Sequence, residues 1–140
     1  MVHALEEIRR ILLPDGILID LRPLADRWPV EVVTPQDSYG AGRVEDLPTG
    51  LADDAASAEA IEKAVQAGLF ALERSDMFDF LYSWDTPEEM QAYIEQEWED
   101  FISLPKDVLT RAQAIWVNSK GGWRTRVRCK MHIARWRKLP

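Results

Sequence analysis

The sequence predicts an α/β fold, a short sheet with helices packed on it and an antiparallel hairpin closing it at the C-terminal end. Three observations carry that expectation. A helix, a tight turn and an apolar strand follow one another over residues 3–21; helical periodicity returns over 57–74 and 87–101; and within Trp123–Arg135 the residues Arg124 to Met131 alternate between cationic and mostly apolar. With 140 residues, 46% hydrophobic and 29% charged, the chain suits a single domain, 1–140, with a real core. No apolar run approaches the ~18 residues of a membrane span. The N-terminus carries Glu6 and Glu7 in a helical period and lacks the basic-then-apolar order of a secretory signal, so cytoplasmic residence without membrane association is expected.

The elements follow from local chemistry. Leu5, Ile8, Ile11 and Leu12 recur at helical spacing with Glu6, Glu7, Arg9 and Arg10 on the other side, which predicts an amphipathic helix over 3–13. Pro14 ends it, Asp15-Gly16 makes a tight turn in which Gly takes positive φ, and Ile17, Leu18, Ile19 and Leu21 form a strand buried on both faces. Residues 22–50 hold four prolines and three glycines and are expected to form an irregular insertion with short β pieces at Val30–Val33 and Arg43–Leu47. Ser57 can cap a helix continued by Ile61, Ala64, Val65, Gly68, Leu69 and Leu72 to about Arg74. After the aromatic cluster Phe78, Phe80, Leu81, Tyr82 and Trp84, the run Asp85-Thr86-Pro87-Glu88-Glu89 signals a helix start. Thr86 caps, Pro87 sits first, and the two glutamates face the positive end of the dipole. A short helix from Pro105 to about Ala114 precedes a hairpin of Ile115–Ser119, a Lys120-Gly121-Gly122 turn and Trp123–Arg135.

Charge is distributed unevenly. The net charge is −7, yet residues 108–140 carry nine Lys and Arg and no acid. Basic residues interleaved with Trp123 and Trp136 are one way to meet nucleic-acid phosphates. On an acidic chain, pairing of that segment with the protein's own carboxylates is the favoured reading, and nucleic acid is the unlikely partner. Cys129 is the single cysteine, so no disulfide can form within the chain, and two histidines are too few for a metal site without carboxylates. No metal is expected. Flanking Arg128 and Lys130 would lower the thiol pKa, but a small packed filler is the favoured role for Cys129.

Leu5, Glu7, Arg10, Leu12, Pro14 and Gly16 follow a Leu-x-Glu-x-x-Arg-x-Leu pattern ending in Pro-Gly-Gly, with Asp15 in place of the first Gly. This segment resembles the late helix and fifth strand of class I S-adenosylmethionine-dependent methyltransferases of the small-molecule, type 11-like kind. The succession of helix, turn, strand, further helices and terminal hairpin resembles their C-terminal half. The resemblance implies a partial Rossmann-like methyltransferase fold without the N-terminal half that binds the cofactor. Gly40-Ala41-Gly42 is a G-x-G in a Pro-rich stretch with no helix following directly, so it is not taken as a cofactor loop.

Several expectations follow from the resemblance. The chain by itself binds no cofactor, and S-adenosylmethionine enters only if a partner completes the fold. The strand Ile17–Leu21 would be interior in the parent sheet, so one bare flank implies a homodimer through that strand or a partner chain supplying the missing half. The substrate-side residues implied are Arg22 at the strand end and Phe80, Tyr82, Trp84 and Asp85 in the aromatic segment. No catalytic residue is nominated, since the carboxylate pairs lie on charged helix faces and no Ser-His-Asp set is visible. Three functions are weighed: a non-catalytic partial domain acting by association, the substrate-binding part of a methyltransferase completed by another polypeptide, and a nucleic-acid-binding module using the basic C-terminal segment.

Overall fold

The computed structural model describes residues 2–118 and 121–140. Ser119 and Lys120, expected at the end of a strand and the start of a turn, lie outside the described residues. In chain order the elements are α1 (Val2–Ile11), β1 (Ile17–Pro23), β2 (Pro29–Val33), β3 (Ser38–Arg43), β4 (Glu45–Asp46), α2 (Pro48–Gln66), β5 (Phe70–Trp84), α3 (Pro87–Glu97), β6 (Ile102–Ser103), α4 (Lys106–Val117) and β7 (Arg124–Lys138). The class is therefore mixed α/β, with four helices among the described residues. β1 and β2 each pair antiparallel with β7, as β2 does with β3 and β4 with β6, and the larger sheet is open rather than closed. Among the described residues no helix is long and apolar enough to cross a membrane.

The chain divides into two compact units, each built from separated stretches: Met1–Leu24, Ala52–Phe78 and Met131–Pro140 in the first, Ala25–Leu51 and Asp79–Lys130 in the second. The one domain expected over 1–140 thus contains two clusters of contacts, and α2, β5 and β7 contribute residues to both.

In the first unit β7 is a central strand. Ile17↔Arg137 through Pro23↔Met131 pair antiparallel with β1. The next two backbone amides show that both edges are used: Lys138 N–H donates to Gly16 O at 2.9 Å, and Leu139 N–H donates to Leu69 O, just ahead of β5, at 3.1 Å. Helices cover one face. Leu5, Ile8 and Leu12 of the N-terminal helical segment and Ala60, Ile61 and Ala64 of α2 pack with Leu18, Phe70, Ala134 and Trp136. The other face is open, with Ile17 at 39%, Ile19 at 53% and Leu21 at 54% exposure. The expectation that β1 is buried on both faces is corrected, because both helices of this unit pack on the same side.

Two local expectations change here as well. The tight turn before β1 places positive φ on Asp15 (φ 58) instead of Gly16. Gly16 is needed for space, since a Cβ there would lie 2.8 Å from Leu13 O. The helix expected over Ser57 to Arg74 begins nine residues earlier, at Pro48, and ends at Gln66. Gly68 stops it at φ +68 in a Schellman arrangement: Leu69 N–H reaches Ala64 O and Gly68 N–H reaches Val65 O, both at 2.9 Å. Leu69 and Leu72 therefore lie beyond the helix, and Leu72 belongs to β5.

In the second unit β2 pairs β7 through Val30↔Val127 to Val33↔Arg124, and pairs β3 on its other edge. The 22–50 stretch, expected to be irregular, thus holds β2, β3 and β4 and supplies core residues Trp28, Val30, Val32, Ala41 and Val44. The register jumps from Val30↔Gly42 to Glu31↔Gly40, so Ala41 is the extra residue of a β-bulge. Beside it, a Cβ on Gly42 would meet Val108 Cγ2 at 2.7 Å, which explains a glycine where α4 packs on the sheet. The Gly-Ala-Gly run serves this packing and opens no helix. α3 begins as expected: Thr86 Oγ1 accepts the Glu89 N–H at 3.1 Å and Pro87 occupies the first turn. α4 continues to Val117, so Ile115–Val117 are helical and the C-terminal hairpin is replaced by pairing of β7 with β1, β2 and β5.

Candidate functional site

Alternation along β5 puts Phe80, Tyr82 and Trp84 on one side of the strand, and α3 with its C-cap brings up Tyr93 and Trp98. Tyr82, Trp84, Tyr93 and Trp98 touch in every pairing. Ring centroids are 4.8 Å apart for Tyr82–Trp98, 5.2 Å for Tyr93–Trp98, 5.4 Å for Trp84–Tyr93 and 6.1–6.2 Å for the rest. Trp28 adds an edge contact to Trp98 at 5.6 Å, and Phe80 one to Tyr82 at 5.0 Å. Rings this close fill the space between them, as edge-to-face packing favours. What remains for a ligand is their outer surface, where Phe80 is 48% exposed. Burial raises the Tyr82 phenol above its ordinary pKa, so it stays protonated through neutral pH.

Asp85 is not a free carboxylate. Its Oδ1 accepts from Arg124 Nε at 3.0 Å, its carbonyl accepts from Trp116 Nε1 at 3.2 Å, and its N–H donates to Glu89 Oε2 at 3.1 Å. It latches the start of α3 to α4 and β7. Arg22 belongs to the first compact unit and Phe80, Tyr82, Trp84 and Asp85 to the second.

The cations of β7 meet acids of their own chain. Glu31, on β2 opposite Arg126, is buried and accepts from Arg126 Nε at 2.9 Å, Arg126 Nη2 at 2.6 Å and Arg128 Nη2 at 2.5 Å. Asp79 faces Lys130 at 3.2 Å and Arg128 at 3.8 Å. In the first unit Glu73 pairs with Arg135 at 2.7 Å and with Arg137. These contacts realise the self-pairing expected for the basic segment. A cleft of about 170 Å³ beside the ladder is lined by Asp26, Pro29, Arg43, Asp79, Arg128 and Lys130, in which both signs of charge meet.

Opposite Arg126 and Arg128, the second-unit half of β7 is apolar, with Thr125, Val127 and Cys129 almost fully covered. Burial, reinforced by Asp79, pushes the Cys129 thiol up to about 12. The flanking cations point the other way and do not lower it, so Cys129 is packing and not a nucleophile. Among the described residues no group of three or more His, Cys, Asp or Glu is arranged to hold a metal ion.

At β1 the alternation that exposes Ile17, Ile19 and Leu21 turns Leu18, Asp20 and Arg22 toward the helices. Asp20 and Arg22 line a cavity of about 250 Å³ with Leu5, Ile8, Leu18, Ser57 and Ile61. Their side chains are 18% and 21% exposed, and Oδ2 lies 3.5 Å from Nε. That ion pair is too poorly aligned for a hydrogen bond, and both atoms are buried without a hydrogen-bond partner among the described residues. Such atoms are rare enough in folded proteins to require an explanation. Sequence reasoning singled out Arg22 but missed Asp20 and Glu31. A charge inside an apolar strand was the available signal in both cases.

No protein-family model, no curated protein and no solved structure matches this chain.

Proposed function

We propose that this chain is a methyltransferase-like partial domain that works by association, self-pairing through the free edge of β1, and that it does not bind S-adenosylmethionine on its own. The observation that carries the reading is the arrangement of the first unit. β7 lies antiparallel beside β1, as the resemblance implies for the last strand, while the other flank of β1 pairs with no described strand. An edge of seven residues with exposed isoleucine and leucine is a template for another strand unless something covers it. Under this reading the outer surface of Phe80, Tyr82 and Trp84 would contribute a wall to a substrate site, and chemistry would need residues from elsewhere.

The test has two arms. Sedimentation at micromolar concentration is expected to give a dimer for the chain and a monomer for Ile19→Pro, which removes an edge donor where proline is sterically tolerated. Calorimetry with S-adenosylmethionine is expected to show no heat. A monomeric parent chain would defeat the association, and a micromolar dissociation constant for the cofactor would defeat the non-binding half of the proposal.

A further inference from the structure

The edge of β1 carries its own register code. Lys138 N–H bonds Gly16 O, so Gly16 and, by alternation, Leu18, Asp20 and Arg22 direct their backbone groups to β7. Ile17, Ile19 and Leu21 therefore direct N–H and C=O to the free edge. Pro23 also faces that edge, where its missing N–H breaks no bond to β7.

We infer that β1 pairs with β1 of a second copy across a two-fold axis at Leu21, setting Asp20 opposite Arg22 of the second copy and Arg22 opposite its Asp20. This rests on the self-association proposed above and assigns its register. Two-fold pairing that keeps most of Ile17–Pro23 in register puts the axis at Ile19, Asp20 or Leu21. An axis at Asp20 sets two aspartates face to face, in a pair whose Cα atoms lie about 4.5 Å apart because their backbone groups point away from the new seam. An axis at Ile19 sets Asp20 against Leu18 and Arg22 against Gly16, leaving both charges without a cross-strand partner. The axis at Leu21 makes two reciprocal ion pairs at the close spacing. It joins Leu21 to Leu21 by two backbone hydrogen bonds and Ile19 N–H to the Pro23 carbonyl by two more.

The same register supplies what the isolated chain lacks. Asp20 Oδ2 and Arg22 Nε, buried and without hydrogen bonds in one copy, each gain a charged partner. The exposed side chains of Ile19 and Leu21 meet Pro23 and Leu21 of the second copy on the opposite face. The strands of one copy's first unit then continue across the seam into those of the second.

The experiment uses the full chain in sedimentation equilibrium with Asp20→Arg and Arg22→Asp. Each single variant places like charges opposite each other twice and is expected to raise the dimer dissociation constant by about 10–100-fold. An equimolar mixture of the two variants restores both opposite-charge pairs, so a heterodimer with affinity near that of the parent chain is expected. That recovery also shows that the variants are folded. A parent dimer with single variants that remain dimeric, or with a mixture that stays monomeric while both variants keep the parent circular dichroism, overturns the register and leaves self-association standing. A monomeric parent overturns both.

Discussion

Cys129 is the residue whose surroundings reverse its sequence-level chemistry. Arg128 and Lys130 flank it in sequence, but side chains of adjacent strand residues point to opposite faces, and the thiol shares its face with Thr125 and Val127. Burial then dominates and the pKa rises to about 12 from 9.0. Between those values the unfolded chain releases a proton that the native state retains, so stability falls as pH climbs from about 9 toward about 12 and is unaffected by this group below that window. Comparing urea melts of the parent chain with Cys129→Val should show the extra alkaline loss only in the parent. At pH 8 a disulfide reagent should label Cys129 in urea and leave the native thiol untouched. Glu31 shows the complementary lesson. Flanked by Val30 and Val32, it looked like an ordinary strand residue, and only its position opposite Arg126 explains a carboxylate that is 6% exposed.

Elements whose ends are set by neighbours in sequence were legible. Thr86-Pro87 fixes the start of α3 because the capping hydroxyl reaches an amide only three residues on. The start of α2 was not, because its first turns carry Ala and Asp instead of an apolar stripe, and its buried residues are Ala60 and Ala64. Its end was misplaced because Leu69 and Leu72 continue a helical spacing that Gly68 interrupts. Gly68→Ala, forced to keep φ +68, should destabilise the protein by about 1 kcal/mol. Thr86→Ala should do so by about 1 kcal/mol through the lost cap. Thermal melts would measure both, and a neutral Gly68→Ala would show that the turn relaxes to negative φ. β3 escaped notice for a related reason: Ser-Tyr-Gly-Ala-Gly-Arg has little strand propensity, and pairing with β2 together with packing by α4 makes it a strand.

At the scale of the whole molecule, β1 connects fold to proposed function. If the seam forms as inferred, amide exchange at Ile19 and Leu21 should slow as protein concentration rises through the dissociation constant. Leu18 and Asp20, bonded to β7 in either state, should exchange at rates independent of concentration; uniform behaviour along β1 would speak against the seam. The sequence by itself determined the amphipathic N-terminal helix, the turn into an apolar strand, the capped α3 and the two-sided character of β7, since each depends on contacts within a few residues or on side-chain periodicity. Only the tertiary structure decided that β7 pairs with β1, β2 and β5 in place of a hairpin neighbour, that helices cover just one face of β1, and that Glu31, Asp79 and Glu73 meet the basic strand. Those outcomes join residues dozens of positions apart, and strand partners and burial of a second face depend on which distant surface arrives, which no local pattern encodes.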